Sequence, residues 1–318
     1  MEILIQLLLL VVGFFLLMKG ADWFVDGASG IADRLGIPEL VVGLTIVAMG
    51  TSLPEAAVSI TAAMKGSAEI TIGNVVGSNI LNVLIILGIT ALIRVIPVQS
   101  STVRYEIPFT IGVTVLLVCL GSFDHHVGRV DGGILWLFML IYLVYLWRMA
   151  RGGNPESENN GEEKADEGKK KGILILLAMV IIGGAMIVFG SDVTVDAATA
   201  IAKMFGMTER FIGLTIVALG TSLPELVTSV TAAIKGKSDI AMGNIVGSNI
   251  FNILFVVGTS ALIIPVTYSE LFLFDGFVAI GTMILLFICV VKNKRLGRLG
   301  GVLMLMGYAG YFCHLISQ

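Results

Sequence analysis

The chain has 318 residues, 56% of them hydrophobic and 14% charged, with a formal net charge of -3. A water-soluble domain carries roughly 25% charged residues, so an ordinary soluble enzyme is excluded. The apolar content also excludes disorder, and with no basic face a nucleic-acid partner is not expected. The class that remains is a polytopic membrane protein, with the lipid bilayer as its surroundings.

A helix needs about 20 apolar residues to cross a bilayer core. Spans are predicted near 3–22, 39–64, 70–93, 103–121, 131–150, 172–192, 209–234, 240–264, 270–291 and 299–316. The first and sixth should continue as helix toward about 34 and 204. Met1-Glu2 supplies no basic leader and no small-residue cleavage site closes the first run, so Met1 is expected to begin the first helix. Residues 152–171 read GGNPESENNGEEKADEGKKK, which offers no apolar face and is predicted to be a solvated linker. Cys119, Cys289 and Cys313 lie far apart in apolar runs and read as small hydrophobic residues.

Displacing the sequence by 170 positions brings its halves into register without a gap. VGLTIVAMGTSLPE (42–55) falls on IGLTIVALGTSLPE (212–225), and IGNVVGSNILNVL (72–84) on MGNIVGSNIFNIL (242–254). Asp22 and Asp26 fall on Asp192 and Asp196. The expected organisation is a first five-helix repeat at 1–151, the linker at 152–171 and a second five-helix repeat at 172–318. An odd number of spans per repeat inverts the second repeat, a plan common among secondary transporters, whose sites lie at the midplane between repeats. The predicted fold is therefore all-α, with ten transmembrane helices as two inverted five-helix repeats and broken helices at the midplane.

Orientation follows from Lys and Arg. With both termini outside, the linker and its neighbouring loops take most of the basic residues. Only Lys65, Arg129, Lys203 and Arg210 then lie in outer loops, and Lys19 lies within the first span. The linker is therefore expected to be cytoplasmic.

Glu55 and Glu225 each stand within a hydrophobic span. A charge at the bilayer centre costs roughly 2.5–3.5 kcal/mol on insertion scales, so both must face the protein interior or a wet cavity. Pro54 and Pro224 have no N–H, which should deprive the carbonyls of Gly50 and Gly220 of their helical donors. Thr51 and Thr221 lie one turn before the glutamates, and Ser52 and Ser222 add hydroxyls. Ser78 with Asn82, and Ser248 with Asn252, supply a second wall. Asn74, Asn79, Asn244 and Asn249 suit either this wall or hydrogen bonding between helices. Every donor in the set is oxygen, which disfavours zinc and copper. Ca2+ takes 6–8 oxygens and would be neutralised by two glutamates, and Na+ accepts the same atoms.

These motifs resemble the cation/calcium exchanger superfamily, in particular the sodium/calcium exchanger branch in its short prokaryotic form. GTSLPE at 50–55 and 220–225, with GSNILN at 77–82 and GSNIFN at 247–252, is similar to that family's paired alpha-repeats, here 42–84 and 212–254. The calcium/proton branch typically has Gly-Asn-Ala-x-Glu where this chain has Thr-Ser-Leu-Pro-Glu, which favours Na+ as counter-ion. The resemblance implies an antiporter exchanging Ca2+ for Na+ by alternating access in a prokaryotic inner membrane. It implies no cofactor and points to no obligate protein partner. It further implies that Glu55 and Glu225 bind Ca2+ with the carbonyls of Thr51 and Thr221. Sodium sites would use Ser52, Ser78, Ser222 and Ser248 with the carbonyls of Ala48 and Ala218, and Asn82 and Asn252 would complete the centre. The first and sixth helices would slide across this core, with the four aspartates lining the vestibules or lying at helix ends. Some relatives carry Asp at the positions of Asn82 and Asn252, which leaves stoichiometry open. A Ca2+/H+ antiporter, a calcium channel and an intramembrane hydrolase are the competing classes. The hydrolase lacks a histidine near Ser52 or Ser222, and the channel needs a continuous pore.

Overall fold

A computed structural model describes residues 2–65, 69–152, 172–206 and 218–317. The linker predicted at 152–171 lies outside the described residues except for Gly152. The start of the span predicted at 209–234, including Arg210 and motif residues 212–217, also lies outside them.

The described chain is almost wholly helical. Helix α1 is Glu2–Leu35, followed by α2 (Glu39–Thr51) and α3 (Leu53–Met64). Then come α4 (Ile70–Ile93), α5 (Thr102–Asp124) and α6 (Arg129–Arg151). After the linker follow α7 (Ile173–Met204), α8 (Ala218–Thr221) and α9 (Leu223–Ile234). The chain closes with α10 (Ser238–Ile263), α11 (Glu270–Val291) and α12 (Arg298–Ser317). Among the described residues seven helices are long and apolar enough to cross a membrane, or eight if α2 and α3 form one bent span. The α8–α9 pair and α12 are not among them. The extensions expected of the first and sixth spans are present, since α1 and α7 run to Leu35 and Met204.

The break between α2 and α3 falls at Ser52, whose ψ of 6° leaves the helical region, and the two helices meet at 50°. Pro54 sits in the first turn of α3, where its missing N–H is tolerated. Ser222 and Pro224 repeat this arrangement before α9.

Helices α1 and α7 pack antiparallel along a seam of glycines. A Cβ at Gly20 would lie 2.8 Å from the Gly183 carbonyl oxygen, and one at Gly190 would lie 3.0 Å from that of Gly13. Small residues on both sides let the backbones touch, the usual device for helix contact in lipid. The innermost helix is α10, nearly all of it buried. Gly243 and Gly247 bring it against Gly43, Leu44 and Ala48 of α2.

Two short ladders tie the halves together at the helix ends. Ile96–Pro97 (β1) pairs with Arg295–Leu296 (β4), and His126–Val127 (β2) pairs with Val266–Thr267 (β3), both antiparallel. The register places Ile96 opposite Leu296 and Val266 opposite Val127. Ile96 and Val266 are 170 positions apart, whereas Val127 and Leu296 are 169 apart. The ungapped correspondence expected from sequence therefore needs correcting: the stretch from β3 to β4, which ends in a turn, is one residue shorter than the stretch from β1 to β2. The turn keeps its geometry, because His125 and Lys294 both take positive φ, 60° and 47°.

Candidate ion site

The two helix breaks and helices α4 and α10 converge on one buried cluster. Glu55, Glu225, Thr51, Ser52, Ser222, Ser78, Ser248, Asn82 and Asn252 are all buried in it, while Thr221 is half-buried. The Glu55 and Glu225 carboxylates are near enough to interact electrostatically. The Ser52 hydroxyl donates to Glu225 Oε1 at 2.9 Å, joining the break in one half to the carboxylate of the other. Thr51 Oγ1 lies 3.0 Å from Asn244 Oδ1 and also reaches the Val47 and Ala48 carbonyls. The Ala48 carbonyl accepts from the Ser52 N–H at 3.1 Å and from Ser248 Oγ at 3.4 Å. Ala218 opens α8, with its carbonyl in the corresponding backbone position.

The asparagines flagged in the sequence hold the carboxylate helices in place. Asn74 Nδ2 donates to Ser59 Oγ at 2.9 Å and to the Glu55 carbonyl at 3.3 Å. Asn244 Nδ2 does the same with Ser229 Oγ at 2.9 Å and the Glu225 carbonyl at 3.4 Å. Asn79 and Asn249 exchange amide-to-carbonyl bonds at 3.2 and 3.3 Å, one a pseudo-two-fold copy of the other. Their side-chain oxygens accept from the amides of Asn252 and Asn82 at 3.2 and 3.0 Å. Asn82 and Asn252 are thereby turned so that each carbonyl oxygen is left over.

The leftover atoms define the chemistry. Glu55 Oε2, Glu225 Oε2, Asn82 Oδ1 and Asn252 Oδ1 are buried and have no hydrogen-bond partner among the described residues, and neither has Ser222 Oγ. An ionised carboxylate and an amide carbonyl only accept. Four buried acceptors without donors would be costly in a closed apolar core, and a cation is the class of ligand that such acceptors suit. Among the described residues no three His, Cys, Asp or Glu side chains gather, so most ligands of such a cation would be neutral oxygens.

The Gly220 carbonyl, expected to lack its helical donor, accepts from the Ser191 hydroxyl on α7 at 2.8 Å. The residue matching Ser191 is Ala21, which has no hydroxyl. Two features escaped sequence reading. Ser59 and Ser229 orient Asn74 and Asn244; their signal was their place one turn after the glutamates in both halves. The segments Asn82–Leu87 and Asn252–Val257 are π-helical, so each wide turn begins at a site asparagine. Such turns collect at functional sites, but no residue pattern in the sequence announced them.

The sequence pattern of the family described as sodium/calcium exchanger protein matches residues 5–148 and 175–317. The chain belongs to this family. Its members are antiporters rather than enzymes, and they carry ions as substrates without a cofactor. The sodium/calcium exchanger MaX1 of Methanosarcina acetivorans is 33% identical over 97% of this chain and 98% of its own length. Inner membrane protein YrbG of Escherichia coli is 36% identical over 94% and 93%. A solved structure of the sodium-calcium exchanger NCX_Mj, soaked in 10 mM Na+ without Ca2+, matches with a TM-score of 0.81. It is 30% identical and covers 96% of this chain and 97% of that one. This exchanger is therefore a multi-pass membrane protein that exchanges cations.

Proposed function

We propose that the protein exchanges Ca2+ for Na+ by alternating access through ten spans arranged as two inverted repeats. The observation that carries this reading is the set of four unpartnered acceptors, Glu55 Oε2, Glu225 Oε2, Asn82 Oδ1 and Asn252 Oδ1. Two carboxylates balance one divalent ion, and flexible oxygen coordination suits Ca2+. Hydroxyls of Ser52, Ser78, Ser222 and Ser248 and carbonyls of Ala48, Thr51, Ala218 and Thr221 serve Na+ and Ca2+ around this centre. The pseudo-two-fold hydrogen bonds of Asn79 with Asn249 support the inverted arrangement. So does the cross-pairing of the ladders. Both termini lie outside and the linker is cytoplasmic on this reading, from the distribution of Lys and Arg.

The test is 45Ca uptake into proteoliposomes under an imposed Na+ gradient or an imposed pH gradient. Uptake driven by outward Na+ at constant pH is expected. Uptake driven by the pH gradient alone would replace Na+ with H+ as the counter-ion.

A further inference from the structure

The two halves share a sequence pattern but differ in how tightly their long helices are seated. The second half of α1 packs along α9: Phe24, Val25, Ala28 and Ala32 are buried with Ala232, Ala233 and Ile240, and Val227 packs against them. Lys235, at the end of α9, closes this contact. Its Nζ lies 2.7 Å from Asp26 Oδ1 and 3.2 Å from Asp22 Oδ1, and donates to the Asp22 carbonyl at 3.0 Å.

Among the described residues no helix is seated in the same way on the matching surface of the first half. A groove of roughly 470 Å³ on α3 is lined by Ala57, Val58, Thr61, Ala62, Lys65 and Ile70. Each of these stands 170 positions before a residue of the α9 surface, from Val227 through Lys235 to Ile240. The part of α7 that would fill it, Thr194 to Ala202, does not pack along α3 as α1 packs along α9. Asp192, Asp196 and Lys65 are exposed, and Lys65 forms no ion pair with either aspartate. The charged groups that would pair are present in both halves, so a matching ion-pair cluster can form on the α3 side.

We propose that Lys235 and Lys65 are positioning residues of an alternating latch. Lys235 clamps α1 to α9 through Asp22 and Asp26 while one vestibule is sealed. Lys65 clamps α7 to α3 through Asp192 and Asp196 when the opposite vestibule is sealed. The inference rests on the inverted-repeat reading above, and it assigns a task to aspartates that do not reach the ion site. The groove on α3 is then the vacant seat of α7. The helices need only trade one ion-pair cluster for its copy, so the two states stay close in free energy.

The test uses full-length protein in membranes, with Cys119, Cys289 and Cys313 replaced by Ser. One background carries Asp26→Cys with Lys235→Cys, and a second carries Asp196→Cys with Lys65→Cys. Linking by a short bifunctional thiol reagent is read without any ion gradient, so a failure of Na+-driven Ca2+ exchange leaves this result interpretable. Both pairs are expected to link. Lys65→Met should raise linking of the 26/235 pair, and Lys235→Met should raise linking of the 196/65 pair, each by about fivefold for loss of one exposed ion pair. The exchanged pair Lys235→Glu with Asp26→Lys should return linking of the 196/65 pair to its starting level, which a misfolded chain would not do. In a chain carrying both cysteine pairs, no molecule should hold both links. Molecules holding both links, or linking of the 196/65 pair that ignores Lys235→Met, would overturn the latch.

Discussion

At the scale of single residues, the site is built so that acceptor oxygens outnumber the donors that reach them. Glu55→Gln or Glu225→Gln keeps the shape and removes one of the two charges that would balance Ca2+. Exchange should be abolished while the unfolding temperature does not fall, because a buried carboxylate costs more than a buried amide. Retained Na+-driven Ca2+ flux in either variant would contradict the assignment. Protons compete for the same oxygens, since a protonated carboxyl no longer contributes charge. Apparent Ca2+ affinity should therefore weaken as pH falls from neutral into the mildly acidic range, and a flat profile would count against a shared pair of glutamates. Asn82 and Asn252 offer carbonyl oxygens without charge, so the site holds no third anion for an accompanying K+. Ca2+ uptake should be the same with and without K+ on the Ca2+ side, and Asn252→Asp should alter cation preference. A strict K+ requirement in the unmodified protein would overturn this reading of the asparagines.

At the scale of elements, helix contacts depend on glycines that let backbones meet. A Cβ at Gly20 would strike the Gly183 carbonyl oxygen and the Ile187 N–H across the α1–α7 seam, and neither backbone atom can step aside. Gly20→Ala should cost about 1–3 kcal/mol by overpacking, measured by thermal unfolding in detergent. Gly112 on α5 has nothing within 4 Å of such a Cβ. Gly112→Ala should be neutral or stabilising by up to about 1 kcal/mol through helix propensity. Equal effects at the two positions would remove the seam from the account. The elements also show what the sequence could reveal. Glu55 and Glu225 stood out because charge is rare in an apolar run, and the break at Ser52 was legible in Gly-Thr-Ser-Leu-Pro. The π-helical turns at Asn82 and Asn252 were not, since an apolar run reads the same whether its turns are α- or π-helical. The bond from Ser191 to the Gly220 carbonyl was hidden as well. It joins residues 29 positions apart in the chain, and no local pattern reports such a contact. Asn79 and Asn249 were noticed, but their reciprocal pairing needed the two halves brought face to face.

At the scale of the whole molecule, duplication explains why site and scaffold are hard to separate. Each carboxylate helix is held by its own half, through Asn74 and Ser59 or Asn244 and Ser229. The unpartnered oxygens of Asn82 and Asn252, by contrast, are aligned by bonds that cross between halves. On the proposed inverted-repeat arrangement, a site made this way would present the same chemistry to both sides of the membrane, and the unequal seating of α1 and α7 would correspond to one of two states. An exchanger of this kind couples ions, whereas a channel lets Ca2+ run only down its own gradient. The most direct measurement is Ca2+ content in proteoliposomes started at equal Ca2+ on both sides, with Na+ loaded inside. The account predicts that Ca2+ accumulates against its gradient and leaves again when the Na+ gradient is reversed. Ca2+ that stays at equilibrium whatever the direction of the Na+ gradient would contradict it.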